Sequence, residues 1–154
     1  MATNVRNRSA LRWTLIIITA VGLLVDAVVH FHLAGSYSNV RTSLVNEGDL
    51  FRIEATVATL AAAALLIRPR RYTAAVAFAV AAGGTLAVVV TRYVNVGAIG
   101  PLPNMYDPSW YAEKTLSAVA EGIAAVTALL LFIQLHAEAR RADRTAVRSD
   151  RATA

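Results

Sequence analysis

Three acidic residues, Asp26, Glu54 and Glu121, lie inside stretches of the chain that are otherwise apolar. An acidic side chain at the centre of a bilayer costs about 2.5–3.5 kcal/mol on insertion scales, so such residues normally face the interior of a helix bundle and have a partner or a function. Carboxylates can bind a cation, hold a proton or ligate a metal ion. We therefore expect the chemistry of this protein to depend on these three residues.

Other polar residues share helical faces with these acids. Asp26 and His30 are four residues apart, and Lys114 and Glu121 are seven apart on a second segment, so each pair lies on one side of a helix. Arg92 and Lys114 are the cations in the same regions, where they would tune the charge of the acids or pair with an anionic group. The predicted ligand- or proton-binding residues are Asp26, His30, Glu54, Arg92, Lys114 and Glu121.

A metal site is a narrower hypothesis. Asp26, His30, His32 and Glu54 offer nitrogen and oxygen ligands suited to zinc, manganese, iron or copper(II). The two histidines are about 200° apart on an ideal helix, so both reach one ion only if the helix ends between them. His136 is predicted at the opposite end of the bundle, so a haem held by two histidines of one protomer is not expected. The absence of cysteine excludes thiolate ligands.

The same carboxylates have a purely architectural interpretation, in which ion pairs such as Glu54 with Arg92 specify which helices pack together. Three functions follow from the functional interpretation. The leading one is a protein that binds a cation, metal ion or small ligand and acts as a proton-coupled carrier. The alternatives are a non-catalytic accessory subunit of a larger membrane complex and a membrane enzyme that uses Asp26 and His30 on a lipid-like substrate. Walker A, GxSxG, HExxH and GxGxxG motifs are absent, which argues against a conventional hydrolase or nucleotide enzyme.

The elements that position these residues are membrane-spanning helices. Of the 154 residues, 56% are hydrophobic and 16% are charged, which is more apolar than typical soluble domains. About 20 apolar residues cross a bilayer core, and four stretches of that kind occur. We predict an all-α, integral membrane four-helix up-and-down bundle over residues 1–136, followed by a basic cytoplasmic tail over 137–154. The predicted spans are approximately 11–32, 50–67, 72–93 and 111–136.

The distribution of cations predicts the orientation of the bundle. Of the fifteen Lys and Arg residues, eleven fall within residues 6–12, 68–71 and 140–151, and cytoplasmic segments retain cations. Both termini are therefore predicted to be cytoplasmic, in a bacterial inner (plasma) membrane, and the polar pocket is predicted to face outward. The net charge of +5 reflects this distribution, and no nucleic-acid motif is present. The bilayer is the predicted partner, with a homo-oligomer or a larger membrane complex also open because alanine-rich faces favour helix contacts.

Overall fold

The computed structural model describes residues 2–38 and 45–153, and these residues form four α-helices. All four are long and apolar enough to cross a membrane. The prediction of an all-α chain with four candidate spans is therefore confirmed. The helices are α1 (Ala2–Ala34), α2 (Glu47–Ile67), α3 (Arg71–Tyr93) and α4 (Ala112–Thr153).

The helix ends differ from the predicted spans where polar residues extend the helices. α2 begins at Glu47 because the Asn46 side chain accepts a hydrogen bond from the Asp49 backbone N–H, a common N-cap. α1 starts well before the apolar run, and α4 continues through the polar stretch predicted as a tail. Polar residues with good helix propensity continue a helix beyond the bilayer, which the hydropathy pattern does not reveal.

A tight turn joins α2 to α3 at Arg68-Pro69-Arg70, because Pro69 cannot continue α2 as a regular helix. The Arg70 backbone N–H donates to Thr73 Oγ1 at 3.0 Å, which caps the start of α3. The Arg12 guanidinium of α1 donates to the Pro69 carbonyl oxygen at 2.9 Å. This contact attaches α1 to the turn.

Small residues form most of the helix interfaces. α1 packs along α2 and α4, whereas α3 packs mainly on α4 and less extensively on α2. Ala58, Ala77 and Ala124 are fully buried members of the alanine faces of α2, α3 and α4. Gly22 of α1 lies so close to α4 that an added Cβ would be 2.8 Å from the Ala120 carbonyl oxygen. Close backbone approach is how helices associate in lipid.

Large apolar side chains cover the outside of the bundle. Leu60 and Ile67 of α2 and Leu86 of α3 each expose more than half of their surface. A soluble protein rarely exposes so much contiguous apolar surface, whereas a bilayer requires it. The exterior therefore agrees with four helices surrounded by lipid.

The connection between α3 and α4 folds back over one end of the bundle. Its Asp107 backbone N–H donates to the Thr91 carbonyl oxygen of α3 at 3.0 Å. Gly97 and Gly100 adopt φ values of 69° and 57°, which side-chain-bearing residues rarely adopt. This connection meets the one between α1 and α2, because Tyr37 and Tyr111 share a hydrogen bond of 2.9 Å between their hydroxyl groups.

Candidate functional site

Three carboxylates meet inside the bundle. Asp26 of α1, Glu54 of α2 and Glu121 of α4 each place a carboxylate oxygen within 4.8 Å of the other two. Asp26 and Glu121 are each only 1% exposed, and Glu54 is partly buried. The structure thus brings together the three acids that the sequence singled out. We call these three residues the acidic cluster.

Within the acidic cluster, Asp26 has hydrogen-bond partners on one of its carboxylate oxygens. Its Oδ1 atom lies 2.8 Å from His30 Nδ1 and accepts a hydrogen bond of 2.5 Å from the Ser117 hydroxyl. The pair Asp26 and His30 is the predicted i, i+4 contact, and Ser117 adds a link from α1 to α4. Two donors on one oxygen hold this carboxylate in place.

Four other carboxylate oxygens of the acidic cluster are buried without a partner among the described residues. Among the described residues, Asp26 Oδ2, Glu54 Oε1 and both oxygens of Glu121 are buried without a hydrogen-bond donor. A buried polar atom without a partner costs about 1–3 kcal/mol, and more when it is charged. Three ionised carboxylates this close also repel one another. Protonation or a bound cation would relieve both of these costs.

Gly84 of α3 provides the space that Glu121 occupies. A Cβ added at Gly84 would collide with the Glu121 carboxylate, whereas a Cβ at the neighbouring Gly83 would meet no atom within 4 Å. In the sequence, the Gly83-Gly84 pair is typical of close helix packing in a membrane. Gly84 lies at a close contact between α3 and α4, and the group that it accommodates there is a carboxylate of the site. The sequence offers one indication of the role of Gly84, because Gly84, Val88 and Thr91 follow helical spacing and therefore share a face of α3. The spacing alone does not say which helix this face contacts.

A cavity of about 340 Å³ connects the acidic cluster to the end of the bundle where the two longer connections meet. Glu54, Glu121, His30 and Ser117 lie along it, and Asp26 lies directly behind the last two. Its walls are mostly apolar and come from α1, α2, α3 and the α3–α4 connection. Wall residues include Leu33, Leu50, Phe51, Val88, Leu102 and Met105.

An ion pair lies at the outer part of this cavity. The Lys114 ammonium donates to the Asp107 carbonyl oxygen at 2.7 Å and is 3.4 Å from Asp107 Oδ2. Partial burial alone would raise the pKa of Asp107, but the Ser109 N–H and the Lys114 ammonium stabilise the carboxylate more, so the pKa lies below its usual range. Lys114 is thus engaged near the mouth rather than paired with the acidic cluster.

Arg92 and His32 lie apart from the cluster. The Arg92 guanidinium carbon is 5.0 Å from the centre of the Tyr93 ring and 5.9 Å from that of Trp110. No ion pair joins Arg92 to Glu54 within residues 2–38 and 45–153.

His32 is exposed. α1 continues through Ala34, so it does not end between His30 and His32, and their side chains point in different directions.

For a metal ion, the structure favours a different ligand set from the one suggested by spacing. Asp26, Glu54 and Glu121 supply three oxygen ligands within reach of one ion, with His30 beside Asp26 and His32 outside the group. An all-oxygen set suits hard cations such as Mn²⁺, Mg²⁺ or Ca²⁺ better than zinc or copper. Glu121 joins this set because α4 packs beside α1, a contact that no local spacing reveals.

Comparison of the chain with models of protein families, with curated proteins and with solved structures found no significant match.

Proposed function

We propose that this protein binds a cation at the acidic cluster in exchange for protons, as a small proton-coupled cation-binding or carrier protein of the membrane. One observation carries the proposal: Glu121 is fully buried in the bundle, lines the cavity, and has both oxygens without a donor among the described residues. Such a group at membrane depth is expensive unless it serves a ligand or a proton.

The charges around Glu121 favour a cation over an anion. α1 contributes Asp26 and His30 and α2 contributes Glu54, whereas the described residues of α3 that line the cavity carry no charge. Lys114 of α4 is bound to Asp107 near the mouth. Glu54, Glu121 and His30 therefore line the deep end of the cavity, with the Asp26 carboxylate directly behind them. The combined field of this set attracts positive charge.

Proton exchange follows from the cost of net charge in a buried site. A cavity at membrane depth is most stable when its total charge stays the same with and without ligand. A monovalent cation should then replace one proton that the carboxylates share. Binding should accordingly weaken as the pH falls, because protons compete for the same oxygens.

The test uses purified full-length protein in weakly buffered solution, titrated with benzyltrimethylammonium or with Mn²⁺ as probes. We expect binding to release about one proton per monovalent cation, read with a pH indicator. Affinity measured from pH 5 to pH 9 should rise with pH. If neither probe binds, or if a probe binds with the same affinity at all pH values and releases no proton, the proposal is wrong.

We further propose that the helices run up and down across the plasma membrane, with both termini in the cytoplasm and the cavity open to the outside. The clustering of arginines near the chain ends and in the α2–α3 turn supports this orientation. Because the chain has no cysteine, single-cysteine variants test it directly. In intact cells, a membrane-impermeant maleimide should label an Asn104→Cys variant and leave an Arg144→Cys variant unlabelled until the membrane is opened. The opposite labelling would reverse the topology.

A further inference from the structure

We propose that the cation bound by this cavity is a small organic monocation, an ammonium group carried on an apolar and preferably aromatic body, rather than a bare metal ion. This inference rests on the proposed function, since it names the class of cation that the acidic cluster receives. It depends on the walls of the cavity as well as on its acidic end.

The cavity has two chemically distinct parts. Its deep end carries Glu54 and Glu121, and its walls are built by Leu50, Phe51 and Val88, with Met105 from the α3–α4 connection. A cation whose charge reaches the carboxylates would place the rest of its volume against these apolar side chains. A ligand with an apolar body would gain from that contact about 25 cal/mol for each Å² of apolar surface buried.

The size of the cavity favours a molecule over an ion. Its volume of about 340 Å³ falls at the lower end of the range that small-molecule pockets occupy. A metal ion would fill only the space between the three carboxylates and would complete its coordination shell with water. That water would lie against walls that offer it few hydrogen-bond partners.

Aromatic rings lie between the acidic end and the mouth. The Phe51 ring meets the His30 ring edge to face, with centres 5.2 Å apart, and lies 5.0 Å from the centre of the Tyr37 ring. Tyr37 in turn shares its hydroxyl hydrogen bond with Tyr111. Ring faces attract ammonium groups and also stack on an aromatic body. An aromatic ammonium would therefore meet these rings within the cavity.

The charge of the preferred ligand follows from the contacts of the cluster. Asp26 Oδ1 already accepts from His30 and Ser117. Glu121 has no donor on either oxygen and Glu54 has none on Oε1 among the described residues, so these two carboxylates are the more open ones. Once the cation has displaced one proton from this pair, the two carboxylates share the remaining proton and carry a single negative charge. A single positive charge neutralises that pair.

The experiment compares four probes on full-length protein in nanodiscs of zwitterionic lipid, with empty nanodiscs as the blank. Benzyltrimethylammonium has both a positive charge and an aromatic body, whereas tetramethylammonium has the charge without the aromatic body. Neopentylbenzene is the neutral isostere of benzyltrimethylammonium, and Mn²⁺ is the metal-ion probe. We expect benzyltrimethylammonium to bind about 10-fold or more tightly than tetramethylammonium, because its ring buries apolar surface. Neopentylbenzene should show no binding that depends on Glu121.

A substitution in the apolar wall of the cavity tests the inference independently of the acidic residues. Phe51→Ala should reduce the preference for benzyltrimethylammonium over tetramethylammonium, whereas Leu60→Ala, a lipid-exposed position on the same helix, should leave it unchanged. Equal affinity for the two ammonium ions would overturn the inference. Glu121-dependent binding of Mn²⁺ without binding of either ammonium would also overturn it while leaving the proposed function intact. Binding of no probe would overturn both.

Discussion

A Glu121→Gln variant is expected to lose cation binding while remaining folded. Glutamine keeps the shape of the side chain and removes its charge, and truncating one partner of a buried charge pair costs about 2–5 kcal/mol. The affinity for benzyltrimethylammonium should therefore fall at least about 30-fold, and proton release on binding should disappear. Equilibrium binding with the labelled probe and the pH-indicator titration measure the two effects.

The matched control is Glu113→Gln, the same substitution near the start of the same helix, at a residue that does not line the cavity. It should bind the probe as the unmodified protein does. The melting temperature of Glu121→Gln should be unchanged or raised, because replacing a buried carboxylate that has no donor relieves an unfavourable burial. Full affinity in Glu121→Gln would refute the assignment of Glu121 to the site.

The second large effect is expected from Gly84→Ala, which adds one methyl group opposite Glu121. The added Cβ would collide with the carboxylate, the flexible end of the Glu121 side chain, which must move away. Binding sites tolerate displacements of only about 0.5 Å, so we expect the affinity for benzyltrimethylammonium to fall about 10-fold or more. The fold should persist, because alanine is favoured over glycine within a helix by about 1 kcal/mol.

Gly83→Ala is the companion to this variant. It makes the same chemical change one residue earlier, where an added Cβ meets nothing within 4 Å. It should retain binding and gain the same helix propensity. Thermal unfolding and probe binding, measured on both variants, separate displacement of Glu121 from a general effect on α3. If both variants bind normally, Gly84 does not position the carboxylate.

Much of the site could be predicted from the sequence, because a charged residue within an apolar segment is recognisable without a structure. Asp26, Glu54 and Glu121 stand out in their segments, and the contact of Asp26 with His30 follows from helical spacing. His32 could not be placed in the same way, since its position depended on whether α1 ended before it. Ser117 shares a face of α4 with Lys114 and Glu121, but its hydrogen bond to Asp26 required knowledge of which helices pack together.

The amino-acid order by itself determined that the chain forms four long apolar helices and that three acids lie within them, because hydropathy and helical period are properties of local sequence. The tertiary structure alone decided that α4 lies beside α1 and that Glu121 therefore joins Asp26 and Glu54. It also decided that Lys114 binds Asp107, that Arg92 stacks on aromatic rings, and that Gly84 makes room for a carboxylate. These contacts join residues far apart in the chain, and the packing of small-residue faces that creates them depends on all four helices together.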